Sequence, residues 1–85
     1  MACIYILYSK TNNMFYTGSS RENNSQKRLH SHNSGKTRST KSGRPWIVII
    51  EEKYDTFYEA RKRELYLKSG VGRSWIKEKV GDYKM

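Results

Sequence analysis

The chain has 85 residues, with seventeen Lys and Arg against eight Asp and Glu and a net charge of +9. A length of this order is read as one domain, residues 1–85, because a core this small buries only roughly 60 to 65% of the surface that the unfolded chain exposes and cannot be divided further. No apolar stretch approaches the roughly 18 residues of a membrane span, and Cys3, the lone cysteine, excludes an internal disulfide.

The first run, Ala2 to Tyr8, lacks the charged start and the cleavage site of a signal peptide and reads as a strand. Cys3 lies inside it and packs as a small hydrophobe in a reducing interior, which implies a cytoplasmic protein, or a nuclear one where the host has a nucleus. Met14 to Ser19, again rich in Tyr and Phe, follows after Ser9-Lys10-Thr11-Asn12-Asn13, whose asparagines suit a turn, so the two runs predict an antiparallel hairpin. Asn24 to Asn33 reads as a short polar helix anchored by Leu29 and closed by Gly35. Lys36 to Gly43 reads as a mobile basic loop, and Trp46 to Glu51, continuously apolar until its last residue, as a central strand buried on both faces. From Asn23 to Ile50 six basic residues occur with no acid, which points to a polyanionic partner, nucleic acid ahead of a bland role in solubility.

Thr56 with Glu59 three residues later is a capping-box start, and Gly70 a helix end, so Phe57 to Ser69 is predicted helical. With Phe57 set at 0° on the wheel, Ala60, Leu67 and Val71 fall at roughly 300°, 280° and 320°, and Glu64 at roughly 340°, inside the apolar arc. A buried carboxylate must be paired, protonated or bound to a metal. Arg61 and Lys68 lie beside it on the wheel, so an ion pair competes with a functional role. The tail from Arg73 to Val80 reads as a short helix whose Trp75 and Ile76 close the core. The whole is an α+β domain of the α/β sandwich type, with a small central three-stranded mixed sheet flanked by helices in β-β-α-β-α-α order.

The segments Cys3-Ile4-Tyr5 and Tyr16-Thr17-Gly18 resemble the two half-motifs that name the GIY-YIG nuclease family. Arg28-Leu29-His30-Ser31-His32-Asn33-Ser34-Gly35-Lys36 is similar to the Arg-Leu-x-x-His-Asn-x-Gly-Lys helix of its small single-domain members, which are like the N-terminal domain of excision-repair nucleases. Arg44-Pro45-Trp46 and Glu59 to Ser69 match the later strand entry and the helix with the metal-binding Glu. The chain departs from the pattern in four places: Cys3 replaces the first glycine of the family name, about two extra polar residues precede Arg28, Ser19 stands where some branches carry a lysine, and the Asn with which some members complete the site has no equivalent.

The resemblance implies a metal-dependent endonuclease that hydrolyses phosphodiesters, with DNA as the leading substrate and Mg²⁺ or Mn²⁺ held chiefly by Glu64. Arg28 would meet the scissile phosphate, and one of Tyr5 and Tyr16 would help take a proton from the attacking water, although a phenol with a reference pKa of about 10 is a poor base unaided. His32, one turn beyond Arg28, could contact the same phosphate, shuttle a proton or orient a tyrosine hydroxyl. His30, on the opposite side of the helix, receives no role. Gly18 is read as permitting close backbone or phosphate approach. Lys36, Arg38, Lys41 and Arg44 would contact phosphates without reading bases, helped by the hydroxyls of Thr37, Ser39, Thr40 and Ser42. The expectation is weak sequence specificity or structure selectivity, with a protein partner or homodimer supplying more, or the catalytic subunit of a repair or recombination assembly. The competing reading is a catalytically silent nucleic-acid-binding module.

Overall fold

The computed structural model describes residues 1–81, so the last four residues of the domain read from the sequence lie outside the described residues. The hairpin forms as read: β1 (Ala2–Ser9) pairs antiparallel with β2 (Met14–Ser20), Tyr5 opposite Gly18 and Leu7 opposite Tyr16. β3 (Trp46–Tyr54) lies on the other side of β1, also antiparallel, in the order β2-β1-β3. The sheet is therefore antiparallel throughout and not mixed. The crossing from β2 delivers the chain to the end of β1, where Trp46 pairs with Ser9. From there β3 can only run back along β1.

The central strand is β1, and β3 is an edge. Every residue of β1 is buried, Cys3 among them, whereas most of β3 is half-buried or exposed. Alternation along β1 sends Ala2, Ile4 and Ile6 to one face, where Ala60 and Leu67 of α2 (Phe57–Leu67) and Ile76 and Val80 of α3 (Gly70–Val80) cover them. Tyr5 and Leu7 point to the other face and pack with Trp46, Tyr16, Val48 and Leu29 of α1 (Gln26–Asn33). Helices thus cover both faces of the α+β sandwich.

The junction between the last two helices moves, while α1 starts two residues later than read and β3 runs on to Tyr54. Thr56 caps α2 as read, its hydroxyl accepting from the Glu59 amide and donating to the Glu59 carboxylate. The helix stops at Leu67 because Ser69 caps a new helix by accepting from the Gly72 amide, so Gly70 begins α3 instead of ending α2. Val71 consequently leaves the apolar arc and is 66% exposed.

The basic stretch is not a loose loop: Arg38–Gly43 forms a 3₁₀ segment. It is tied to the hairpin turn by the Thr11 hydroxyl donating to the Arg44 carbonyl, and to β3 by the Trp46 indole donating to the Thr40 carbonyl at 2.7 Å. Gly35 closes α1 as expected, with a φ of +84° that glycine tolerates. Asn33, the last residue of α1, clamps the start of β3: its Oδ1 accepts from the Trp46 amide at 2.6 Å and its Nδ2 donates to the Trp46 carbonyl at 3.1 Å.

Candidate active site

The paired half-motifs place Tyr5 and Tyr16 on one face of the hairpin. Because Tyr5 faces Gly18 and Leu7 faces Tyr16, the two tyrosines are diagonal neighbours. Gly18 makes this possible in a way the sequence reading did not foresee: a Cβ there would fall 2.5 Å from the Tyr5 hydroxyl oxygen. The missing side chain is the space that the Tyr5 phenol occupies.

A cleft of about 240 Å³ opens at this point, lined by Tyr5, Tyr16, Gly18, Ser19, Arg28, Ser31, His32, Thr37, Arg61 and Glu64. The five side chains proposed to carry chemistry from the sequence, Tyr5, Tyr16, Arg28, His32 and Glu64, all line it. Lys36, Arg38, Lys41 and Arg44 do not. They are exposed on the segment beyond α1, where Arg44 folds back to donate to the Lys41 carbonyl at 2.8 Å.

His32 lies deeper than its place on a short polar helix suggests. It is 3% exposed, its Nε2 lies 3.2 Å from the Tyr5 hydroxyl, and its Nδ1 lies 2.8 Å from the Thr40 hydroxyl. The Tyr16 ring packs on the imidazole with centroids 4.8 Å apart. The 3₁₀ segment covers this side of α1, and that covering buries the ring. Burial, and then the charge of Arg28, hold the imidazole below its usual range, so it is neutral at pH 7. Burial also pushes the Tyr5 phenol well above the usual tyrosine range; the neighbouring Tyr16 adds to this and Arg28 opposes it. Tyr5 is therefore protonated at rest.

Glu64 is 4% exposed on the face of α2 turned to β2. Its Oε1 accepts from Ser19 at 2.5 Å and from Arg61 at 2.7 Å, and its Oε2 accepts from Lys68 at 2.8 Å. Burial alone would push the carboxyl up, but the hydrogen bonds from Lys68, Ser19 and Arg61 outweigh it and hold the group ionised below the usual carboxylate range. The ion pairs anticipated with Arg61 and Lys68 thus both form. Sequence reasoning missed Ser19 as a Glu64 partner and Thr40 as a histidine partner. Ser19 was visible only as a departure from the family lysine, and Thr40 carried no signal beyond a polar residue in a basic stretch.

Among the described residues no group of three or more His, Cys, Asp or Glu side chains forms a cage for a metal ion. One carboxylate facing a cleft nevertheless suits a hard divalent cation, which keeps several waters and takes further oxygens from a phosphate. The cationic partners of Glu64 are also about half exposed, 51% for the Arg61 side chain and 44% for Lys68, so neither is enclosed by packing around the carboxylate. The residues present fit such an ion.

No helix among the described residues is long and apolar enough to cross a membrane. Neither a curated protein nor a solved structure matches the chain. A family model described as the GIY-YIG catalytic domain matches residues 1–78. The hairpin that seats Tyr5 against Gly18 and the two helices that bring Arg28, His32 and Glu64 to it all fall within that match, and the chain belongs to the GIY-YIG catalytic domain family.

Proposed function

We propose that this protein is a divalent-metal-dependent endonuclease that hydrolyses phosphodiester bonds in nucleic acid, DNA first, with weak sequence specificity or selectivity for structure. Members of the family are endonucleases and generally use divalent metals. The observation that carries the reading for this chain is the convergence of Tyr5, Tyr16, Arg28, His32 and Glu64 on one cleft.

Each side chain has a task its setting supports. The Arg28 guanidinium offers planar donors to the non-bridging oxygens of the scissile phosphate, where charge builds as the water attacks. Tyr5 and His32, joined by a hydrogen bond, are the pair that handles the water proton. Tyr16 supports the imidazole by packing on it. Glu64 would hold Mg²⁺ or Mn²⁺, which when bound polarises the phosphate and stabilises the departing oxygen. Ser19 orients that carboxylate through its Oε1. The exposed cations Lys36, Arg38 and Lys41 supply affinity for the backbone on either side. A protein partner or a second copy would add specificity, as in a repair or recombination assembly.

A specific observation favours the competing reading of a catalytically silent nucleic-acid-binding module: both Glu64 oxygens already hold cationic side chains. Cleavage of duplex, single-stranded, flapped and branched DNA and RNA with Mg²⁺ or Mn²⁺, comparing wild type with Glu64→Gln, separates the two. Metal-dependent cutting that Glu64→Gln abolishes while binding persists supports the nuclease. Tight binding without cutting under either metal supports the module.

A further inference from the structure

Thr40 belongs to none of the matched motifs. On sequence grounds its hydroxyl is a candidate for phosphate contact, yet the residue is 1% exposed and its Oγ1 lies against the His32 ring. We propose that Thr40 is a positioning residue that fixes the His32 tautomer, holding the proton on Nδ1 so that the Nε2 lone pair faces the Tyr5 hydroxyl. The inference rests on the nuclease reading for its consequence, but not for the tautomer itself.

Counting protons along the hydrogen-bonded chain leads to this assignment. The Thr40 hydroxyl has one proton, and the Thr37 carbonyl stands 3.3 Å away to accept it. Given to that carbonyl, it leaves Thr40 Oγ1 as an acceptor at 2.8 Å for Nδ1–H of His32. Nε2 is then bare and accepts from the Tyr5 hydroxyl at 3.2 Å. Reversing every proton would make Thr40 donate to Nδ1 and Nε2–H donate to Tyr5. The phenol proton, on a residue 3% exposed, would lose the partner that the described residues give it. Thr37 already accepts from the Thr40 backbone amide, and the Trp46 indole holds the Thr40 carbonyl, so the hydroxyl is aimed by fixed backbone at both ends.

The orientation decides what His32 does. With Nε2 bare, the water proton passes to the Tyr5 oxygen as the Tyr5 proton passes to Nε2. Meanwhile the bond from water oxygen to phosphorus forms, the bond to the leaving oxygen breaks, and that oxygen takes a proton from solvent. His32 ends as an imidazolium donating to both Tyr5 and Thr40. With Nε2 protonated, His32 could only donate to Tyr5, and the phenol would have no acceptor for its proton.

The test is ¹⁵N NMR of protein labelled at histidine nitrogens, which reports the protonated ring nitrogen without any need for cleavage. The expected result is Nδ1–H in the wild type, a shift toward Nε2–H in the near-isosteric Thr40→Val, and restoration in Thr40→Ser. In parallel, Thr40→Val should lower kcat on the best substrate by roughly 10²-fold, the lower end of what a positioned proton acceptor contributes, with binding unchanged and Thr40→Ser close to wild type. An Nε2–H signal in the wild type overturns the inference even if Thr40→Val fails to fold, and so does an unchanged tautomer in a folded Thr40→Val. The expected tautomers together with no wild-type cleavage would uphold the role of Thr40 and remove the nuclease reading instead.

Discussion

Asn33 sits next to His32 within the segment that resembles the family helix, where a chemical role is the natural suspicion, yet its geometry makes it a structural clamp. In Asn33→Ala both of its bonds to the Trp46 backbone, at 2.6 and 3.1 Å, disappear. Each such bond has a net worth of about 1 kcal/mol, and a backbone N–H or C=O left dry costs about 1 kcal/mol more. Trp46 is 5% exposed, so water replaces the lost partners only in part. The expected loss is about 2 to 3 kcal/mol, which for a domain of this size lowers Tm by roughly 10 to 20 °C. Asn33→Asp, which keeps the acceptor for the Trp46 amide but sets an oxygen against its carbonyl, should lose at least the weaker bond. Thermal unfolding by circular dichroism and urea titration both read the change. A loss below about 0.5 kcal/mol, the size of an ordinary surface substitution, would refute the clamp.

Gly18→Ala must displace the Tyr5 phenol, because the new Cβ falls 2.5 Å from its oxygen; the expected cost is about 1 to 3 kcal/mol with loss of the Tyr5–His32 hydrogen bond, and an unchanged Tm would show that the strand yields instead. Since burial and Arg28 hold His32 below its ordinary 6.5, the unfolded chain takes up that proton first, and the stability tied to His32 is whole above pH 6.5 and declines as pH falls below it. Glu64, held below its ordinary 4.5 by its three partners despite its burial, adds a second loss below that pH. Urea midpoints measured from pH 7 to 4 should therefore fall with acidification and fall less near pH 6 in His32→Gln; a midpoint that rises on acidification contradicts both shifts. For duplex binding, Lys36→Ala and Lys41→Ala should each reduce the slope of log K against log salt by about 0.9 regardless of sequence, and an unaltered slope would place the duplex away from this segment.

How far the sequence reveals this fold depends on the range of the interactions involved. The hairpin is legible because an Asn-rich turn and two flanking aliphatic and aromatic runs are local features. The start of α2 is legible for the same reason, since Thr56 and Glu59 cap it within one turn. Strand order is not local. The uninterrupted run from Trp46 to Ile50 has the composition of a strand covered on both sides, yet the chain puts it at an edge, with its register shifted beside Ile6 and Leu7. The break at Lys68 is also hidden, because Ser69 as a cap and Gly70 as a terminator are locally compatible with either ending a helix or beginning one.

The site divides along the same line. Arg28 and His32 share a helix face by spacing alone, and Glu64 enters the apolar arc by periodicity alone. The burial of His32 depends on a 3₁₀ segment that returns across α1, and on Trp46 holding that segment in place through the Thr40 carbonyl. Nothing in a polar eight-residue helix announces that cover. Glu64 has the opposite difficulty, because its place on the wheel implies burial whichever partner it holds. The Arg61 and Lys68 pairs satisfy the carboxylate in the free protein, and being half exposed they leave it able to meet a cation brought with a phosphate. The ion pairs are therefore the occupancy of this carboxylate in the free protein, and the proposed metal ligation is a second occupancy of the same geometry, reached when metal and phosphate displace the exposed cations.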